Sequence, residues 1–250
     1  MLCRLCQHDR KLVDAHIIPK PFFTAYLDGN KGKLLSNSLG MRPKRSRTGV
    51  YDSGILCGTC DKVIGVWDEY GVRVLLQELR ALSADSPTGV QTAFQRPNYD
   101  YNRLKLFILS VLWRASESSR DFSKKVKLGP CQERLFRMLR AEDPGAPEDF
   151  PIFLSAFTVN GRIPASGIPI LDPYREKWDG VDAYRLYLGV IAAYVKMDHR
   201  PFSYPFAELM LRPERPLMIL DRDYDRSQEK QVVLSILSSK QNQCAFGPRL

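Results

Sequence analysis

Four cysteines in two Cys-x-x-Cys pairs, Cys3/Cys6 and Cys57/Cys60, are the residues whose type and spacing most directly imply chemistry. Two such knuckles supply four thiolates at tetrahedral angles with little backbone cost, and that is the ligand set of a structural zinc ion. In a reducing compartment, paired spacings of this kind read as metal or redox chemistry rather than as disulfides. The other two cysteines, Cys131 and Cys244, stand alone and read as structural thiols. Fifty residues separate the knuckles, and the second one opens a helix. That arrangement suggests a treble-clef-like module stapled by one zinc.

Between and beside the knuckles lie residues suited to proton transfer and to binding hard cations. They are Asp14-Ala15-His16-Ile17-Ile18-Pro19, then Asp52, then Leu56-Cys57-Gly58-Thr59-Cys60-Asp61. In this order, with Asp52 five residues before Cys57, the set resembles the HNH (ββα-metal) endonuclease family in its zinc-braced variety, over residues 3 to about 65. The resemblance implies that His16 is a general base activating water against a phosphodiester. It implies that Asp61, where the family usually has a metal-binding His, holds the catalytic divalent ion. It places Asp52 in the middle position, which orients the base or binds the metal. A carboxylate at 61 suits magnesium or manganese better than imidazole does, since hard cations prefer oxygen. The chain departs from the family at Ala15, where many members carry a metal-binding Asp or His, and at both positions where Asp replaces Asn or His.

Each residue also has a plainer reading. His16 could be a buried polar residue bonded to a backbone carbonyl. Asp61 could complement the helix macrodipole. Asp52 could be a turn residue in Tyr51-Asp52-Ser53-Gly54.

Charge adds a partner. Of the net +9, a surplus of +6 falls in residues 1–62, where eleven Lys and Arg face five Asp and Glu. Four thiolates around zinc would lower that surplus locally. A basic module in a soluble protein is an electrostatic footprint for a polyanion, with DNA the foremost candidate. The densest run, Met41-Arg42-Pro43-Lys44-Arg45-Ser46-Arg47, could clamp phosphates through Arg42, Lys44, Arg45 and Arg47. No apolar stretch approaches the roughly 18 residues that span a bilayer, and polar residues interrupt the first ten positions, so no membrane partner and a cytoplasmic location are expected.

The elements that must position these groups follow from periodicity. A short strand near 15–18, a short helix after Pro21 through Phe22, Phe23, Tyr26 and Leu27, and a strand over 33–39 lie between the knuckles. The second knuckle leads into a helix of about 20 residues carrying Val63, Val66, Trp67, Tyr70, Val74, Leu75 and Leu79 on one broad face. Residues 82–98 lose periodicity and contain two prolines, which marks a linker. Beyond it, a strongly amphipathic helix over 101–118 and a basic helix over 132–140 precede strands at 151–159, 167–171, 183–197 and 217–221 and a helix at 228–238.

The sequence therefore predicts an α+β protein: a treble-clef or ββα-metal zinc module at 1–81, a linker at 82–98, and a separate α+β domain at 99–250. The function expected is a metal-dependent DNA endonuclease with a structural zinc and a catalytic magnesium or manganese, in phage defence, restriction or a mobile element by analogy with the family. The alternative is a non-catalytic zinc-dependent DNA-binding or assembly module. Residues 99–250 carry no motif; a homodimer contact or an accessory defence role is the partner function expected of them.

Overall fold

A computed structural model of the chain describes residues 1–24, 49–84, 93–164, 167–178, 180–202, 204 and 206–238. The strand expected over 33–39, Tyr26 and Leu27, and the basic run with Arg42, Lys44, Arg45 and Arg47 lie outside them.

The N-terminal elements are short. Strand β1 (Ala15–His16) is followed by helix α1 (Lys20–Thr24), and β2 (Tyr51–Asp52) pairs antiparallel with β1. Helix α2 (Gly58–Val72) starts at the second knuckle and runs through a π-helical turn, Arg73–Glu78, into α3 (Leu79–Ala84). The helical stretch is longer than its periodicity implied, because the wider π turn rotates Val74, Leu75 and Leu76 together into the core. Val66, expected on the buried face, is instead half exposed.

The second half is a mixed six-stranded sheet with helices against it. Strand β3 (Ala93–Arg96) is followed by α4 (Tyr101–Glu117), a 3₁₀ turn at Asp121–Ser123, and α5 (Cys131–Ala141). Then come β4 (Ile152–Thr158), β5 (Tyr174–Trp178), β6 (Val181–Leu188), β7 (Ile191–Lys196), β8 (Leu217–Asp223) and α6 (Gln228–Ser238). The strand order is β3-β8-β4-β7-β6-β5; β4 and β8 run parallel and every other pair is antiparallel. An α+β class is thus confirmed.

Three details differ from the sequence reading. The apolar run at 183–197 is two strands, β6 and β7, turned back at Gly189, whose φ of +64° L side chains rarely adopt. Both strands are buried, so they read as one continuous apolar stretch. No strand forms at 167–171; β5 lies a few residues later. Residues 93–96, inside the expected linker, form an edge strand on β8 with Phe94 alone fully buried, too little alternation to read in advance. Among the described residues, no helix is long and apolar enough to cross a membrane.

The two halves share one hydrophobic core that runs from Cys3 to Ile236. Its axis is α4, buried almost all round from Tyr101 to Ala115 and capped at its start by the Asp100 carboxylate, which accepts from the Arg103 amide at 3.0 Å. Phe22 of α1 stacks on Phe107 of α4 with ring centroids 5.9 Å apart. Its ring also sits 3.5 Å from where a Cβ on Gly189 would stand, at the β6–β7 turn.

Helices α2 and α4 cross where Gly71 meets Phe107: a Cβ at 71 would stand 2.3 Å from that ring. Gly71→Ala should therefore cost about 1–3 kcal/mol through overpacking, in spite of alanine's helix propensity. Gly65→Ala, with nothing within 4 Å of the added Cβ, should be neutral or stabilise by up to about 1 kcal/mol. Urea unfolding of the zinc-loaded protein separates the two; equal stability of both variants would mean that α2 and α4 do not pack this closely.

Candidate active site and metal centre

The knuckles are built by backbone hydrogen bonds before any metal is considered. The Gln7 amide donates to the Cys3 carbonyl at 2.9 Å, and Gln7 adopts a left-handed φ of 58° that reverses the chain after Cys6. The Arg4 amide donates to Ile55 O at 2.8 Å and the Val13 amide to Leu56 O at 2.9 Å, which bring the two knuckles together. Cys57 is the N-cap of α2, and the Asp61 amide closes the first turn on the Cys57 carbonyl at 2.9 Å.

The four sulfurs of Cys3, Cys6, Cys57 and Cys60 all lie within 4.8 Å of one another, and those of Cys6 and Cys57 are 3.9 Å apart. A tetrahedron of thiolates at the usual zinc–sulfur distance has edges of about 3.8 Å. The cluster could therefore bind one zinc ion. The Cys57 amide also donates to Cys3 Sγ at 3.3 Å, the kind of outer contact that stabilises a thiolate. Burial pushes the Cys57 thiol up, but hydrogen bonds from the Cys60 amide and the neighbouring thiols outweigh it and bring it to about 6. Burial and the same neighbours push Cys60 well above its ordinary value. His8 is exposed and no part of the cluster.

The β1–β2 register decides which groups can meet His16. Ala15 lies opposite Asp52 and His16 opposite Tyr51, and residues directly opposite share a face of the ribbon. The His16 and Tyr51 rings are accordingly neighbours, with centroids 6.2 Å apart, while Asp52 sits on the other face. There it is buried at 5% exposure. Its Oδ1 accepts from the Gly54 amide at 2.8 Å, and its Oδ2 accepts from Ser118 Oγ, the Ser119 amide and Ser119 Oγ at 2.9, 3.0 and 3.1 Å. Burial raises the Asp52 carboxyl, but these donors outweigh it and hold the group below the ordinary carboxylate value. The structure does not bring Asp52 to His16. Its carboxylate closes the Tyr51–Gly54 turn and ties that turn to the end of α4. Asp14, which shares a strand face with His16 by alternation, is exposed.

Asp61 and a carboxylate the sequence reading missed, Asp68, stand seven residues apart on one face of α2. Burial raises the Asp68 carboxyl against the pull of the Arg114 guanidinium; the negative charge of Asp61 raises it further and the charge of His16 lowers it. His16, half-buried on β1, and Asp61, half-buried in the first turn of α2, thus both act electrostatically on Asp68. Asp68 is in turn gripped by Arg114 of α4, itself 1% exposed, through a bidentate pair at 2.9 and 2.6 Å. Arg114 also donates to the His16 carbonyl at 2.6 Å.

Both omissions had a signal in the sequence. Asp68 repeats Asp61 after two helical turns, and Arg114 is a cation on the apolar stripe of Phe107, Val111 and Ala115. A charge at such a position marks a buried partner.

The basic run 41–47 lies outside the described residues. Among those described, Arg10, Lys11 and Lys62 line an open groove of about 550 Å³ with Gly58 and Thr59 at the start of α2, and Arg10 donates to Thr59 Oγ1 at 3.0 Å. By helical spacing, Thr59 and Lys62 stand away from the Asp61–Asp68 face.

Metal analysis of purified protein should give about one zinc per chain. Cys57→Ser should lose it and unfold the N-terminal elements, because metal binding at such a site is folding free energy. A Cys57→Ser protein that remains folded with β1, β2 and α2 in place would remove zinc from the account. The chain matches no known protein family, no curated protein and no solved structure, so the HNH resemblance rests on its sequence motifs alone.

Proposed function

We propose that the protein is a metal-dependent DNA endonuclease in which His16 is the general base. The observation that carries this reading is the convergence of His16 and the Asp61–Asp68 face of α2 on Arg114, which donates both to the His16 carbonyl and to the two oxygens of Asp68. An imidazole is suited to taking a proton from water. The water oxygen would attack phosphorus, its proton would pass to His16, and the bond to the departing sugar oxygen would break. When bound, a magnesium or manganese ion would polarise the phosphoryl oxygen and stabilise the leaving alkoxide. Asp61 would hold it. A single carboxylate fits such an ion, which commonly takes one or two carboxylates and completes its shell with water and substrate phosphate. Both oxygens of Asp68 accept from Arg114, and those of Asp52 from Gly54, Ser118 and Ser119, so neither is offered as a ligand. The Arg10, Lys11 and Lys62 groove, with Arg42, Lys44, Arg45 and Arg47, would hold the phosphate backbone.

One observation favours a second reading. With Asp52 committed to the turn, the HNH-like set loses its middle carboxylate, and a zinc-dependent DNA-binding or assembly module needs none. Nicking of supercoiled plasmid by zinc-loaded protein, with magnesium and with manganese, separates the two. Wild type should nick; His16→Ala should lose about 10²–10⁴-fold in rate and bind DNA with nearly unchanged affinity. A wild-type protein that retards DNA yet nicks it with neither ion would establish the binding module instead.

A further inference from the structure

We propose that Arg114 of α4 is the positioning residue of the His16 site, so that the active site in the first half of the chain is assembled by a helix of the second half. The inference rests on the endonuclease reading and adds to it the group that aligns the base, one of the two duties that the HNH resemblance offered for Asp52.

A guanidinium has five N–H donors in a rigid planar fork. In Arg114 all five are engaged. Nε donates to Ser110 O at 3.3 Å and one terminal nitrogen to Ser110 Oγ and Asp68 Oδ1 at 3.2 and 2.6 Å. The other donates to Asp68 Oδ2 at 2.9 Å and to the His16 carbonyl at 2.6 Å. The stem leaves α4, buried almost all round, and Ser110, one turn earlier, holds the near side of the fork. The far side has two duties at once. It fixes the backbone that carries the His16 ring, and it fixes the Asp68 carboxylate on the face of α2 that Asp61 shares.

A second tether runs in parallel. The Asp52 carboxylate accepts from Ser118 and Ser119, just past the end of α4, and Arg120 Nε donates to the Tyr51 carbonyl at 2.9 Å. Both strands of the ribbon are therefore pinned to one helix end: β1 by Arg114 and β2 by residues 118–120. Tyr51 stands beside the His16 ring, so the second tether holds a wall of the same site. A purely packing role would need no such selectivity for the His16 carbonyl. Lysine cannot substitute, since a single tetrahedral ammonium cannot bridge a bidentate carboxylate and a carbonyl in one plane.

The test uses the full zinc-loaded chain as wild type, Arg114→Lys, Arg114→Ala and Asp68→Asn, with steady-state plasmid cleavage and NMR of 13C-labelled histidine rings. The His16 signal is assigned by its disappearance in His16→Ala. Arg114→Lys should keep about one zinc and a KM for DNA within about threefold, while kcat falls about 100-fold, the scale expected when a reacting group is misplaced by an ångström or less. Low-millimolar guanidinium should raise kcat of Arg114→Ala at least about tenfold by refilling the fork. The His16 ring signal should shift or broaden in Arg114→Lys, with those of His8 and His199 unmoved.

If the Arg114 variants fail to fold, Asp68→Asn decides: kcat should fall about tenfold with KM unchanged, since one acceptor of the fork becomes a donor. Wild-type kcat in Arg114→Lys, or in Asp68→Asn where the former does not fold, overturns the proposal. If wild type cuts no DNA, the endonuclease reading fails separately. The ring signal then decides alone: an unmoved His16 resonance in Arg114→Lys overturns the positioning role, and a moved one upholds it.

Discussion

A guanidinium withdrawn from water is tolerated only where a carboxylate and carbonyls converge on it, and the buried Arg114 imposes that demand on the whole molecule. The carboxylate comes from Asp68 on α2, the distant carbonyl from His16 on β1, and the near partners from Ser110 on its own helix. Removing one partner of such a set leaves an uncompensated buried charge, at a cost of about 3–5 kcal/mol. The N-terminal elements are accordingly not a free-standing module beside the sheet. They are seated on α4, with the Phe22–Phe107 stack and the Gly71–Phe107 contact filling the apolar part of the same interface.

The four-cysteine cluster works on a different coordinate. It fixes where α2 begins, and hence the direction in which Asp61 and, two turns later, Asp68 project. Cysteines and Arg114 therefore hold α2 at two heights, near its start and near its middle. The ribbon β1–β2 is too short to hold its own geometry, with two residues in each strand. It gains position from Ile55 and Leu56 at the knuckle side and from Arg114, Ser118, Ser119 and Arg120 at the α4 side. On this view a zinc ion at the cysteines would brace the site and take no part in chemistry.

What the sequence disclosed was whatever depends on local spacing. The doubled Cys-x-x-Cys pattern foretold the thiol cluster, and the 3.6-residue stripe of Leu104, Phe107, Ile108, Val111 and Leu112 foretold α4. What it hid depends on register and on long-range partners. Asp52, five residues before Cys57, stands where the HNH resemblance puts the middle residue, yet pairing with Ala15 turns it from His16, and the turn reading of Tyr51–Gly54 describes its bond to Gly54. Arg114 reads as one residue of a helix until Asp68, 46 positions earlier, is seen in its fork. The β6–β7 hairpin vanished into a single run because Gly189 is the one turn-favouring residue within 183–197.

The central claim is that His16 and Asp61 serve one divalent ion beside a separate zinc brace, and paramagnetic relaxation tests it without any DNA. Substoichiometric manganese added to the zinc-loaded protein should selectively broaden the His16 ring signal. His8 and His199 should stay sharp, and Asp61→Ala should abolish the effect while leaving the zinc in place. Equal broadening in Asp61→Ala, or a His16 resonance untouched by manganese, would contradict the account.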